Sequence, residues 1–280
     1  MSSENNLLPL VIEPDQLADH LDEPSLLIID VPLRAESYDQ GHVPGAVFLD
    51  HRRLMRGEEA DGGSVANDVP TEETLSRLFS SLGLTRDTHV VAYDDEGGGW
   101  AGRLLWTLEL IGHTRYSYLN GGIHAWREAG QPVSSEPHPP TPSNYEAEIL
   151  HPEVAIDRLE LKERLGEKGF AIWDARSRAE YDGEKGDNAR LGHIPGAVNM
   201  EWTDAMDREN ALRIRDYAEL VTELEALGLT PDMEVVTHCQ SHHRSGFTWL
   251  VGKALGFEKM RGYAGSWKEW GNRDDTPIER

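Results

Sequence analysis

The chain has one cysteine, Cys239, and the residues around it favour its anion. It lies in the run Val235-Val236-Thr237-His238-Cys239-Gln240-Ser241-His242-His243-Arg244-Ser245-Gly246. The thiolate, not the thiol, is the nucleophile, and cationic or amide-rich surroundings lower a cysteine pKa. Arg244 brings a permanent charge whose fork matches an oxyanion, such as a sulfur or phosphorus oxide. His242 and His243 add donors or partial positive charge. Residues Gln240 to Arg244, Ser241 included, can curl their N–H groups toward the sulfur as an anion nest. That chemistry is nucleophilic: a thiolate accepts a group from a donor and passes it on, splitting one hard transfer into two easier ones.

The elements that must position this loop can be read on either side of it. An apolar, β-branched run ends at the cysteine. Beyond Arg244, Phe247, Leu250, Val251, Ala254 and Leu255 fall at helical spacing and stop at Gly256. The thiol is therefore expected where a strand turns into a helix. Backbone N–H groups are unpaired there and the helix dipole is positive, which favours negative charge.

The same order of elements occurs twice. Leu26-Leu27-Ile28-Ile29-Asp30, followed by Arg34-Ala35-Glu36 and Tyr38, answers Ala171-Ile172-Trp173-Asp174, followed by Arg178-Ala179-Glu180-Tyr181. Gly41-His42-Val43-Pro44-Gly45-Ala46 answers Gly192-His193-Ile194-Pro195-Gly196-Ala197. Val90-Val91-Ala92-Tyr93-Asp94 answers the run that ends at Cys239, and Trp126 answers Trp267. Between the copies, Gln131 to Pro142 carries five prolines, which block regular structure and favour extended chain. This gives a first domain over 1–130, a proline-rich linker over 131–150 lying across the surface, and a second domain over 151–280. Helices are expected from Glu72, capped by Thr71 and closed by Gly83, and over Arg215 to Leu227, closed by Gly228. Alternating strands and helices call for an α/β fold, each copy a mostly parallel sheet with helices on both faces. Ligands in such folds bind beyond the carboxyl ends of the strands, where Cys239 falls.

The copies differ at the chemistry. Asp94 stands where the second copy has Cys239, in a loop one residue longer up to Gly102, with Asp95 and Glu96 beside it. That loop has no thiol and is expected to repel anions. His42, His193, Trp126 and Trp267 recur in both copies and are expected to be structural. Asp30 and Asp174 end matching strands, which suits loop hydrogen bonding. Arg176 and Arg178 follow in the second copy as candidate anion binders, although Arg34 matches Arg178. Trp202 is a candidate cleft wall.

Composition narrows the classes. Net charge is -23 with no basic block, which speaks against nucleic acid and anionic membranes as partners. A single cysteine makes no internal disulfide, and the opening MSSENNLLPLVIEP has neither a basic start nor a long apolar core. A cytoplasmic protein is expected.

The tandem copies, the repeated Gly-His-(Ile/Val)-Pro-Gly-Ala and the cysteine loop resemble the two-domain rhodanese family of sulfurtransferases, from about Glu13 to Trp270. The loop Cys-Gln-Ser-His-His-Arg departs from the Gly-Val-Thr-containing loops of the animal enzymes and is similar to that of a bacterial subgroup. The resemblance implies that Cys239 takes the outer sulfur of thiosulfate as a persulfide and yields it to a thiophilic acceptor such as cyanide. Arg244, Gln240, Ser241, His242, His243, Arg178 and Trp202 would bind the substrate. No cofactor or metal is implied. The partners would be a small-molecule sulfur donor and acceptor, or a thioredoxin-like or other sulfur-acceptor protein, with the chain a monomer. Four other readings of the same residues remain. Cys239 is a buried structural thiol. It belongs to a phosphatase, whose loop would be Cys-x5-Arg where four residues intervene here. It forms a zinc site with His238, His242 and His243. Or it is a redox sensor or persulfide carrier. Mercaptopyruvate is the alternative donor.

Overall fold

Each copy of the repeat folds around its own parallel sheet. A computed structural model describes residues 7–57 and 68–280; Met1–Asn6, part of the amino-terminal stretch read above, lie outside these. The strands of the first sheet are β1 (Val11–Ile12), β2 (Leu26–Asp30), β3 (Val47–Phe48), β4 (His89–Tyr93) and β5 (Tyr116–Leu119), in the order β1-β5-β4-β2-β3 with every pair parallel. The second sheet is built from β6 (Phe170–Asp174), β7 (Val198–Asn199), β10 (Glu234–His238) and β11 (Lys259–Gly262), in the order β11-β10-β6-β7, again all parallel. Between β7 and β10, β8 (Met206–Asp207) and β9 (Arg213–Ile214) pair with each other. Where the first sheet has β1, the second has a single parallel bridge from Ala155 to Gly262.

Ten helices connect the strands among the described residues. In the first copy they are α1 (Pro14–Ala18), α2 (Ala35–Gln40), α3 (Glu72–Ser81), α4 (Gly99–Leu110) and α5 (Gly122–Glu128). In the second they are α6 (Arg158–Glu163), α7 (Arg178–Tyr181), α8 (Tyr217–Ala226), α9 (Arg244–Ala254) and α10 (Ser266–Trp270). Strand β4 is buried throughout and β10 from its second residue, as strands covered on both faces must be. Helix α3 begins as expected: Thr71 Oγ1 accepts from Thr74 N at 3.3 Å, and Gly83 turns the chain with φ of +84°. Helix α8 starts two residues later than its sequence suggests. Asp216 accepts from the amides of Ala218 and Glu219 and so stands before the first turn as its cap. Helices α4 and α9 run beneath their sheets; Ser245 to Gly252 are buried without a break, which is core rather than amphipathic behaviour.

The repeated motifs are packing devices. His193 stacks on Tyr181 with ring centroids 3.7 Å apart, its Nδ1 lies 3.0 Å from the Tyr181 carbonyl oxygen, and the Tyr181 hydroxyl donates to Ala197 O at 2.6 Å. His42, Tyr38 and Ala46 repeat the arrangement. Trp126 and Trp267 are buried in the two cores.

The chain divides into two compact units. One gathers the described residues up to Met55, Val69–His151 and Asp207–Arg213; the other holds Pro152–Met206 and Ile214–Arg280. Residues 131–150 thus go with the first unit. Ser134 exchanges two backbone bonds with His42, both 2.9 Å, the Trp126 indole donates to Pro132 O at 2.7 Å, and Tyr145 N donates to Ser80 Oγ at 2.8 Å. The segment 207–213, placed in the second domain by the repeat, also groups with the first unit.

Candidate active site

Strand β10 ends at His238, Cys239 follows, and α9 opens at Arg244. The four residues between turn so tightly that His242 takes a left-handed φ of +57°, uncommon for a side chain other than glycine. Its ring is buried in the loop, with Nδ1 2.7 Å from Ser245 Oγ. From outside, α10 fixes the loop's carbonyls: Trp267 N donates to Cys239 O and Lys268 N to Gln240 O, both at 2.9 Å. Gln240 Nε2 donates to Asn188 Oδ1 at 2.9 Å, and Cys239 N to Ser266 Oγ at 3.4 Å. With these carbonyls turned outward, the amides of Ser241 and Ser245 are left for the sulfur.

Cys239 is only 1% exposed, yet its surroundings are polar. Burial pushes its thiol up. Against that act the charge of Arg244, the hydroxyl and amide of Ser245, and the amide of Ser241, and they hold the pKa below the ordinary thiol value. Main-chain donors and a guanidinium have outweighed desolvation.

Arg244 is not open to solvent. Its Nη1 and Nη2 donate to Glu180 Oε2 and Oε1 at 2.7 and 2.9 Å. Glu180 Oε2 also accepts from Ser177 N at 3.1 Å and Ser177 Oγ at 2.8 Å. Burial alone would raise the Glu180 pKa, but Arg244 and Ser177 bring it down to about 2. In this structure a carboxylate of the chain itself sits on the fork that was expected to meet an oxyanion.

Behind the loop lies a buried charge cluster. Arg176 Nη2 pairs with Asp174 Oδ2 at 2.6 Å, both side chains essentially buried, and donates to Gly192 O at 2.9 Å. Its guanidinium lies 4.3 Å over the Trp267 ring. Arg176 is thus spent on the scaffold and is not an anion binder. His238 Nε2 lies 3.5 Å from Asp174 Oδ2, and burial lowers the imidazole's pKa to about 4.

Of the expected substrate-binding residues, Gln240, Ser241, His242, His243 and Arg244 form the loop around Cys239. Trp202, in a short turn at Trp202–Ala205, stands beside it with its ring 5.6 Å from His243 and 6.3 Å from Phe247. Arg178 is not brought to the loop. Its side chain is 72% exposed and pairs with Asp182 at 2.7 Å. Residues three or four apart share a helix face and residues two apart do not, so Arg178 and Glu180 point differently. Sequence reasoning missed Glu180, Ser245, Asn188 and Ser266. Only Ser245, next to Arg244 in the first turn of the helix, stood within the motif.

The first repeat builds the same nest and fills it. Asp94 is fully buried; its Oδ1 accepts from Glu96 N, Gly97 N and Gly98 N at 3.0, 3.0 and 2.8 Å, and its Oδ2 from Ala101 N at 3.0 Å. Asp95 Oδ1 accepts from Leu33 N at 2.8 Å. The sequence suggested a loop of three carboxylates that repels anions. Instead the carboxyl of one of them fills the nest, its pKa raised by burial against the pull of the amides. Among the described residues no group of three or more His, Cys, Asp or Glu is placed to hold a metal ion.

A strand-loop-helix anion nest at the carboxyl edge of a parallel sheet, present twice, defines the class. The rhodanese-like domain family matches residues 13–129 and 157–273, and the chain belongs to that family. It is 51% identical over 273 residues to the thiosulfate sulfurtransferase of Azotobacter vinelandii and 49% over 272 residues to that of Pseudomonas aeruginosa, each alignment covering 97% of both chains. It is 32% identical to the sulfur carrier protein TtuD of Thermus thermophilus, over 97% of this chain and 96% of that one. Among solved structures, the anaerobic ergothioneine biosynthesis enzyme of Chlorobium limicola superposes with a TM-score of 0.86 at 23% identity, covering 96% of this chain and 69% of that one, which shows the shared fold. No helix among the described residues is long and apolar enough to cross a membrane.

Proposed function

We propose that this chain is a thiosulfate sulfurtransferase and that Cys239 carries the sulfur as a persulfide. The observation that carries the reading is the sulfur of Cys239 with the amides of Ser241 and Ser245 turned toward it and the charge of Arg244 beside it. Those groups stabilise an anion on sulfur and supply no acid, which suits a transfer that needs none. The thiolate attacks the outer sulfur of thiosulfate; the S–S bond breaks and its electron pair leaves with sulfite. The product, Cys239-S-S⁻, keeps its charge in the same nest. A thiophile such as cyanide then attacks the outer sulfur, forms a carbon–sulfur bond and returns the electron pair to Cys239 as thiolate. No proton or outside oxidant is consumed. The full-length likeness to two thiosulfate sulfurtransferases supports this donor.

The first repeat, its nest filled by Asp94, takes no part in the chemistry in this reading. The solitary thiol suits a cytoplasmic enzyme, and the loop and its partners come from one chain, so a monomer suffices. Likeness to a sulfur carrier favours a second reading, in which the physiological acceptor is a thioredoxin-like or other protein thiol. A phosphatase reading lacks support: the loop is one residue short, and its arginine is held by Glu180.

Replacing Cys239→Ser tests the proposal. The expected result is a folded protein, judged by an unchanged thermal melt, that makes no thiocyanate from thiosulfate and cyanide. Thiocyanate production at the wild-type rate would exclude Cys239 as the carrier.

A further inference from the structure

The guanidinium best placed to receive an oxyanion is already occupied. Two parallel N–H···O bonds join Arg244 to Glu180, the arrangement that two oxygens of a sulfate or sulfonate would take on the same fork. The carboxylate is not there by loose attraction. Ser177 holds it with both its amide and its hydroxyl, and the two charged side chains are only 19% and 15% exposed. Its depressed pKa, about 2, keeps it ionised wherever the enzyme works. The pair also tracks the cysteine. In the first repeat, where an internal carboxylate fills the nest, Glu36 stands where Glu180 does but α4 opens on Gly99-Trp100 with no arginine, so only the carboxylate of the pair recurs.

We infer that Glu180 determines specificity as a resident competitor: an anionic donor reaches the Arg244 fork only by displacing the Glu180 carboxylate, while the guanidinium's charge continues to serve the sulfur of Cys239. This rests on the reading of Cys239 as the sulfur carrier. Two effects follow from one contact. A doubly charged donor is held less tightly than a bare arginine would hold it. Sulfite, once the S–S bond has broken, meets the returning carboxylate and is released.

Glu180→Gln keeps the shape and removes the competing charge. The thiosulfate KM should fall about fivefold, the scale of a partly buried ion pair. Sulfite and sulfate, titrated by calorimetry into the full chain free of sulfane sulfur, should bind tighter by about the same factor. Ser177→Ala removes one bond holding the carboxylate and leaves its charge, so the same constants should move the same way by a smaller factor. The sulfate titration requires no sulfur transfer, and it answers the question even if the persulfide reading fails. Constants equal to wild type in Glu180→Gln, weaker anion binding, or no sulfate binding by either protein would each overturn the inference. Should Glu180→Gln fail to fold, Ser177→Ala decides: tighter sulfate binding supports the inference and unchanged binding overturns it.

Discussion

A carboxylate ends the second strand of the first repeat and the first strand of the other, and the residue two places on decides what it becomes. Asp30 is followed by Pro32, has no paired guanidinium of the kind Arg176 gives Asp174, and leaves Oδ1 without a hydrogen-bond partner among the described residues; burial holds its pKa well above the usual carboxylate range, with Arg127 opposing only weakly. Asp174 is followed by Arg176. Burial pushes its carboxyl up too, but His238 and Arg176 pull it below the usual value. The same substitution should therefore have opposite signs. Asp174→Asn leaves the Arg176 charge buried and unpaired and should cost about 3–5 kcal/mol in urea melts. Asp30→Asn keeps an acceptor for Tyr93 without a charge to bury and should raise the melting temperature at neutral pH. Losses of equal size at both positions would contradict this account.

At the scale of elements, the repeat is one device built twice: a strand, a loop of inward amides, a buried helix. Four N–H groups close on Asp94 in the first copy, and in the second the amides close on a cysteine sulfur. The placement of Cys239 between β10 and α9 was legible because hydrophobic period, β-branched residues and a terminal glycine are local signals. The repeat itself marked His193, Trp267 and their counterparts as scaffold. What was not legible depends on distance along the chain. Glu180 meets Arg244 across 64 residues, and only the order β11-β10-β6-β7, with β10 beside β6, brings α7 to the opening of α9. The sequence offered both Arg176 and Arg178 as candidate anion binders, because a cation after the first strand is useful chemistry, while the match of Arg34 to Arg178 pointed to a structural role for the latter. The helix face instead sends Arg178 to Asp182 and Glu180 to the loop. The inward turn of Asp94 was equally hidden, since a run of acidic residues gives no sign of which one the amides will take.

Across the whole molecule, buried histidines set the response to acid. Burial lowers His89 and His113 in the first repeat and His238 in the second to about 4, against an ordinary value of 6.5. Between those values the unfolded chain binds protons that the folded chain refuses, so stability is complete above 6.5 and is lost as pH falls toward 4. Glu180, at about 2 against 4.5, has its folded value depressed and adds a further loss below 4.5. Asp30, raised, works the other way and favours the fold at low pH. With the net charge of -23 screened by about 0.15 M salt, the melting temperature should fall steadily from pH 6.5 to 4. A curve that stays level down to pH 4.5 would show that these imidazoles are not held neutral by the fold.

In the proposed function the two copies divide their labour: one nest keeps its own carboxylate, and the other holds a sulfur proposed to take on a second one. Intact-protein mass spectrometry after incubation with thiosulfate tests this most directly. The account predicts a gain of one sulfur atom per chain, located on Cys239 and removed by cyanide. An unchanged mass under conditions where thiocyanate still forms, or a sulfur that persists in Cys239→Ser, would contradict it.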